Sequence, residues 1–159
     1  LHFPTPVYIA DIEHPTLNQE LERDIVTWSK QDKGITRTNV QGWHSTTDMH
    51  EKPQFKKLVD IECRGYEFVY MPSGYEMDIH KDNYNLGSRI GILLQGQAGL
   101  DFFDDDLNPT VSFDYSLPAL FDIRTNHNVT NTDGDWRLSF FINFNETYDI
   151  ALEKFRDLI

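Results

Sequence analysis

A single cysteine, Cys63, is all the thiol chemistry available to the 159-residue chain. An intrachain disulfide is therefore excluded, as is a thiolate-rich metal centre, and a reducing compartment fits. Basic residues are also few: 14 Lys and Arg stand against 26 Asp and Glu, for a formal net charge of -12. So acidic a chain repels a phosphate backbone, and no nucleic-acid partner is expected. No apolar run is long enough to cross a bilayer as a helix, so no membrane partner is expected either. The first residues, Leu1-His-Phe-Pro-Thr-Pro, lack a basic segment followed by an apolar one, which reads as a soluble cytoplasmic protein. Low-complexity tracts, internal repeats and linkers are absent as well, and an aromatic share of 13% argues against disorder. The length suits one domain with a real core.

What is present falls into two halves. Phe3 to Ile9, interrupted by Pro4 and Pro6, reads as an edge strand. After Pro15, the spacing of Leu17, Leu21, Ile25 and Trp28 marks one face of an amphipathic helix, with Thr16 and Gln19 as a capping box. Ile35 to His50 has no period and reads as a loop or an irregular pair of strands, where His44 and His50 are read as structural or solvent-exposed rather than as ligands. Pro53 opens a second helix through Phe55, Leu58 and Val59. From Tyr66 the chain turns to short strands: 66–71, 77–81, 89–94, 100–103, 110–115, 119–122, 128–131 and 137–144, the last two joined by a turn at Asp133-Gly134. Asp104-Asp-Asp106 reads as a solvated loop tip, attractive to a basic substrate. Tyr148 to Ile159 closes the chain as an amphipathic helix, with Ala151, Leu152, Phe155 and Leu158 on its inner side. The fold class expected is α+β, mainly β: a double-stranded β-helix, or jelly roll, with flanking helices. Its parts are a helical region about 1–65, a core about 66–144 and a final helix about 147–159.

The chemistry concentrates in the second half. In Tyr70-Met-Pro-Ser-Gly-Tyr-Glu-Met-Asp-Ile-His80-Lys-Asp82, the terminal His-x-Asp puts an imidazole and a carboxylate on one side of a strand. With His127 as a second imidazole, this is the two-His, one-carboxylate set that suits non-haem Fe(II). The apolar run Trp136-Arg-Leu-Ser-Phe-Phe-Ile-Asn-Phe144 then carries Arg137 and Ser139 on one face. A guanidinium buried there needs an anion, and a carboxylate is the ligand it grips with two parallel hydrogen bonds. Arg89 competes for that role, because it too lies in an apolar strand; it would bind a substrate carboxylate or pair with Asp78 or Asp101.

His-x-Asp, a distal His and a later Arg-x-Ser, in this order over about half the chain, resemble the Fe(II)- and 2-oxoglutarate-dependent oxygenases. Tyr70, Gly74 and Tyr75 before the His-x-Asp are most similar to the prolyl-hydroxylase-like branch. Phe121-Asp-Ile-Arg-Thr-Asn-His127-Asn-Val resembles the distal segment of the aspartyl/asparaginyl hydroxylases, which lack the metal carboxylate that Asp82 provides here. The segment Arg37 to His50 resembles the Gly-Trp-x-Ser stretch of oxygenases encoded by bacteriophages, an enzyme of which would work in the host cytoplasm. In place of the Gly-Gly-x-Thr of many prolyl hydroxylases stands Ala98-Gly-Leu-Asp-Phe-Phe. The resemblance implies that His80, Asp82 and His127 bind Fe(II) as the catalytic centre, and that Arg137, Ser139 and Tyr70 hold 2-oxoglutarate. It further implies that O2 is consumed while an amino-acid, peptide (prolyl included) or other small substrate is hydroxylated, with succinate and CO2 as co-products. The rival is a metal-binding jelly roll without catalysis, cupin-like or virion-associated; cupins usually carry His-x-His followed by Glu, a pattern absent here.

Overall fold

The computed structural model describes residues 4–6, 36–39, 64–71, 77–82, 87–97, 99–114, 118–130 and 137–156. The two helices expected after Pro15 and Pro53, His44, His50, Gly74, Tyr75 and the Asp133-Gly134 turn lie outside the described residues, and so do the side chain of Tyr70 and residues 157–159. Among the described residues, nine strands and one helix follow in order: β1 Thr5–Pro6, β2 Thr36–Asn39, β3 Gly65–Met71, β4 Ser88–Gln95, β5 Gly99–Phe103, β6 Pro109–Asp114, β7 Ala119–Asp122, β8 Asn126–Thr130, β9 Arg137–Phe144 and α1 Tyr148–Lys154.

The strands form two antiparallel sheets, a large one in the order β1-β7-β4-β9-β3-β2 and a small one in the order β6-β5-β8. Strands that follow one another in the chain are repeatedly split between sheets, the pattern of a jelly roll. The β5–β6 hairpin turns tightly because Asp104 Oδ1 accepts the backbone N–H groups of Asp106 and Asn108, at 3.0 and 2.8 Å. These two bonds also hold the Asp104 carboxyl below its ordinary value, the Asn108 contact most of all. The Asp104–Asp106 run is thus turn chemistry at an exposed tip.

Alternation decides what lies between the sheets. On β5 Leu100 and Phe102 point inward, on β8 His127 and Val129, and on β6 Val111 and Phe113. They meet Val69, Leu93, Phe121 and Phe141 from the large sheet. Central strands β4 and β9 are buried on both faces, which is why their sequences read as nearly unbroken apolar runs. The outer face of β9 meets α1, where the Phe144 and Phe155 rings pack tilted at 55° with centroids 5.0 Å apart. Tyr148 of α1 hydrogen-bonds Thr5, tying the helix to the edge strand β1.

Apart from small shifts at element ends, three features differ from expectation. The 77–81 segment makes one bridge, His80 with His127, instead of a full strand. Beyond that bridge the pairing leaves register, since Asp82 N–H donates to the Ile123 carbonyl. β8 starts at Asn126 and thereby includes His127, and Leu152 is only half-buried on α1 while Tyr148, Ala151 and Phe155 form its inner face.

Gly87 joins the β9–α1 turn to the start of β4. Its N–H donates to the Phe144 carbonyl at 3.0 Å, and Ser88 Oγ donates to the Glu146 carbonyl at 2.9 Å. A Cβ on Gly87 would collide with the backbone of Glu146 and Thr147, whereas one on Gly99 would meet only Asp101 Oδ1 and Ser112 Oγ at ordinary distances of 3.9 and 4.0 Å. Gly87→Ala is therefore expected to destabilise the fold by at least about 2 kcal/mol, and Gly99→Ala by less than about 1 kcal/mol. Urea unfolding of both variants checks this; equal midpoints would show that the turn can move aside.

Candidate metal centre

His80, Asp82 and His127 come together between the two sheets. Candidate ligand atoms from the three lie within 4.8 Å of one another. The backbone arranges this directly: His80 and His127 exchange both N–H···O bonds, at 3.0 and 2.9 Å, and Asp82 N–H donates to the Ile123 carbonyl at 3.0 Å. An edge segment is thereby pinned beside β8, with its imidazole next to that of its bridge partner; the ring centroids are 4.6 Å apart.

Each ring is also oriented. The Nδ1 of His80 lies 2.7 Å from the Asp78 carbonyl, and the Nδ1 of His127 lies 2.7 Å from the Thr125 carbonyl. A carbonyl only accepts, so each Nδ1 carries the proton, and a neutral ring in that tautomer presents its Nε2 lone pair. Those two Nε2 atoms face the Asp82 carboxylate, His80 Nε2 at 3.4 Å from Oδ1 and His127 Nε2 at 3.7 Å from Oδ2. Metal ligands at right angles with bonds of about 2.1 Å stand about 3 Å apart, so little movement separates this arrangement from a coordination sphere.

Electrostatics points the same way. Burial among Phe102 and Phe121 pushes the His127 pKa below its ordinary value, against the Thr125 carbonyl and the Asp82 charge, which act to raise it. The ring is therefore neutral at neutral pH, as a metal ligand must be. Burial acts to raise Asp82, yet when the imidazoles are protonated the hydrogen bond from His80 and the charges of Arg89, His127 and His80 together hold the carboxyl below its ordinary value. Asp82 Oδ2 is buried and accepts no hydrogen bond. An ionised oxygen in that position is costly to leave so, and a cation is the partner it fits. Two imidazole nitrogens and one carboxylate oxygen suit Fe(II).

A cavity of about 430 Å³, counted to the atom surfaces and including its open mouth, begins at this cluster. Val69, Leu100, Phe121, Val129 and Phe141 give it apolar walls, and Arg89 and Arg137 supply its cations. Arg137 is 1% exposed and Ser139 is fully buried, with an Oγ that makes no hydrogen bond. Alternation along β9 puts both on the cavity face with Phe141.

The sequence reading of Arg89 needs correction. Among the described residues Arg89 approaches Asp82, Nη1 to Oδ2 at 4.0 Å, in place of Asp78 or Asp101, and the guanidinium lies 4.5 Å over the Phe141 ring. Asp101 instead accepts from Ser112 Oγ at 2.6 Å on the outer face of the small sheet. Sequence reasoning also missed the carbonyls of Asp78 and Thr125. Backbone acceptors leave no mark in residue type, so no signal pointed to them.

No protein-family model matches the chain, and no curated protein matches it. Among solved structures it is similar to a 2OG-Fe(II) oxygenase-family oxidoreductase from Burkholderia pseudomallei, at 12% identity over 91% of this chain and 84% of that one, with a TM-score of 0.49. It is also similar to the ribosomal oxygenase YcfD from Escherichia coli, at 13% identity over 76% of this chain, with a TM-score of 0.48; the match spans 33% of YcfD. A cupin superfamily protein from Desulfitobacterium hafniense matches at 9% identity over 71% of this chain and 80% of that one, with a TM-score of 0.42. Likeness at this level concerns the fold and carries nothing about activity, so the reading of the site rests on its own geometry.

Proposed function

We propose that the protein is an Fe(II)- and 2-oxoglutarate-dependent oxygenase that hydroxylates a C–H bond of a small substrate. The observation that carries this reading is the pair of imidazoles, each with Nδ1 tied to a carbonyl and Nε2 turned to the Asp82 carboxylate. In it His80, Asp82 and His127 hold the iron. Iron so held would supply the redox chemistry that couples O2 and 2-oxoglutarate to substrate oxidation, with succinate and CO2 released.

The rest of the chain's part is binding and positioning. Arg137 and Ser139 take the distal carboxylate of 2-oxoglutarate: a guanidinium for the charge and a hydroxyl whose Oγ makes no other hydrogen bond. Tyr70 is proposed as a further contact, since its backbone pairs with Leu138 beside Arg137. The apolar walls from Val69, Leu100, Phe121 and Val129 exclude water, which strengthens each of these electrostatic contacts.

Anaerobic Fe(II) with 2-oxoglutarate is expected to give the weak visible charge-transfer band of a chelated iron complex, and His127→Ala to abolish it. Wild-type protein with iron bound and no band would turn the reading to a cupin-like metal binder without catalysis.

A further inference from the structure

One short corner serves two of the three candidate ligands. Residues 123–125 carry the chain from β7 in the large sheet to β8 in the small one. In that corner the Ile123 carbonyl accepts the Asp82 N–H at 3.0 Å, and the Thr125 carbonyl lies 2.7 Å from His127 Nδ1. Ile123 and Thr125 are both buried, so these carbonyls belong to the core and not to a surface loop. Where each carbonyl points decides where the Asp82 backbone sits and which nitrogen His127 turns to the metal position.

Asp122, the last residue of β7, folds this corner. Its Oδ1 accepts the Arg124 N–H at 2.8 Å, an Asx turn, and its carbonyl accepts the Thr125 N–H at 3.4 Å. The Arg124 N–H and the Ile123 carbonyl are the two ends of a single planar peptide and point in opposite directions. Asp122 therefore grips one end of the same rigid unit whose other end holds Asp82, and hydrogen bonds in series polarise one another. The Thr125 N–H, drawn back to the Asp122 carbonyl, closes the turn just before the carbonyl that meets His127. Asp122 is itself buried and stands opposite Ser88 in the β4–β7 ladder, which fixes the acceptor to the large sheet. It supplies no atom to the candidate ligand set.

We propose that Asp122 is a positioning residue for the metal centre: its side-chain oxygen holds the Ile123–Arg124 peptide, and the corner so folded seats Asp82 and keeps His127 in the tautomer that leaves Nε2 free. The proposal rests on the metal-site part of the oxygenase reading and not on the reaction. The acceptor oxygen acts here, not the charge, because the group it meets is a neutral N–H. Asparagine offers the same oxygen and makes the same turn, whereas alanine offers none. Without that oxygen the Ile123–Arg124 peptide loses one of its two anchors and the corner loosens. An imidazole whose Nδ1–H then loses the Thr125 carbonyl carries its proton on Nε2 instead, where no lone pair remains for a metal.

The test compares wild type, Asp122→Asn and Asp122→Ala by Co(II) affinity, followed in the cobalt absorption spectrum, and by NMR of the metal-free proteins. Asp122→Ala is expected to bind Co(II) at least about tenfold more weakly, the low end of what outer-shell partners of metal ligands contribute, and Asp122→Asn to stay within about threefold of wild type. Without metal, at mildly alkaline pH, the His127 ring signals should place the proton on Nδ1 in wild type and Asp122→Asn, and partly on Nε2 in Asp122→Ala. The Asp82 amide should exchange with solvent faster in Asp122→Ala alone. If Asp122→Ala does not fold, Asp122→Ser, with a shorter acceptor, takes its place and is expected to bind Co(II) more weakly than Asp122→Asn. The proposal is overturned if the variant without the acceptor keeps wild-type affinity and tautomer, whatever it loses in urea stability. It is equally overturned if Asp122→Asn is as weak as Asp122→Ala, which would make charge the active feature, or if metal-free wild type carries the His127 proton on Nε2. Wild-type protein that binds no Co(II) removes the metal reading, and the His127 and Asp82 signals of the metal-free series then decide the role of the turn by themselves.

Discussion

Replacing Asp82 by Ala is expected to lower the slow conversion of 2-oxoglutarate to succinate, measured without primary substrate, at least about a hundredfold. Outer-shell partners of metal ligands commonly matter tenfold to a hundredfold, and a ligand itself should matter at least as much. The carboxylate here has three neighbours that depend on it: His80 at 3.4 Å, His127 at 3.7 Å and Arg89 at 4.0 Å. Without it, the two imidazoles and the guanidinium leave only cationic or neutral groups around the proposed iron position. Iron content and turnover should therefore fall together. Equal turnover in wild type and variant, with equal iron, would remove Asp82 from the ligand set.

Arg137→Ala is expected to weaken 2-oxoglutarate at least about a hundredfold while iron remains bound. Losing one partner of a buried, hydrogen-bonded charge pair commonly costs roughly 3 to 5 kcal/mol, and each 1.4 kcal/mol is about tenfold in affinity. Arg137 is 1% exposed on a strand with no exposed residue. A carboxylate reaching it is thus fully desolvated, so solvent does little to screen the contact. Ser139→Ala removes one neutral hydrogen bond and should cost about tenfold. Anaerobic titration of 2-oxoglutarate into the Fe(II) forms measures both. A larger loss in Arg89→Ala than in Arg137→Ala would reverse the assignment of the two cations.

Much of the scaffold was readable because strands record their environment locally. Ser-Arg-Ile-Gly-Ile-Leu-Leu-Gln and Arg-Leu-Ser-Phe-Phe-Ile-Asn-Phe are apolar on both sides of the pleat, and both became central strands of the large sheet. Leu100 and Phe102 alternate with less buried positions on β5, as Val111 and Phe113 do with polar residues on β6, and these strands form part of the small sheet with one face outward. The 77–81 segment misled for a physical reason: His80 has the spacing of a strand residue, but its pairing with β8 is a single bridge, and Asp82 N–H goes to Ile123 instead of continuing the ladder.

The site divides along the same line. A separation of two residues is enough to send His80 and Asp82 to one side of an extended chain, and an arginine in an apolar run requires an anion wherever it ends up. Composition, alternation and these short spacings were determined by the sequence itself, since each depends only on neighbours along the chain. Which strands lie side by side depends on pairings between distant segments, and only the tertiary structure decided them. The bridge that seats His80 against His127, the carbonyls that fix both imidazole tautomers and the approach of Arg89 to Asp82 rather than to Asp78 or Asp101 all follow from that register. Register is a collective outcome, because a slip by one residue would turn every core side chain of a strand outward. No single residue type carries that information.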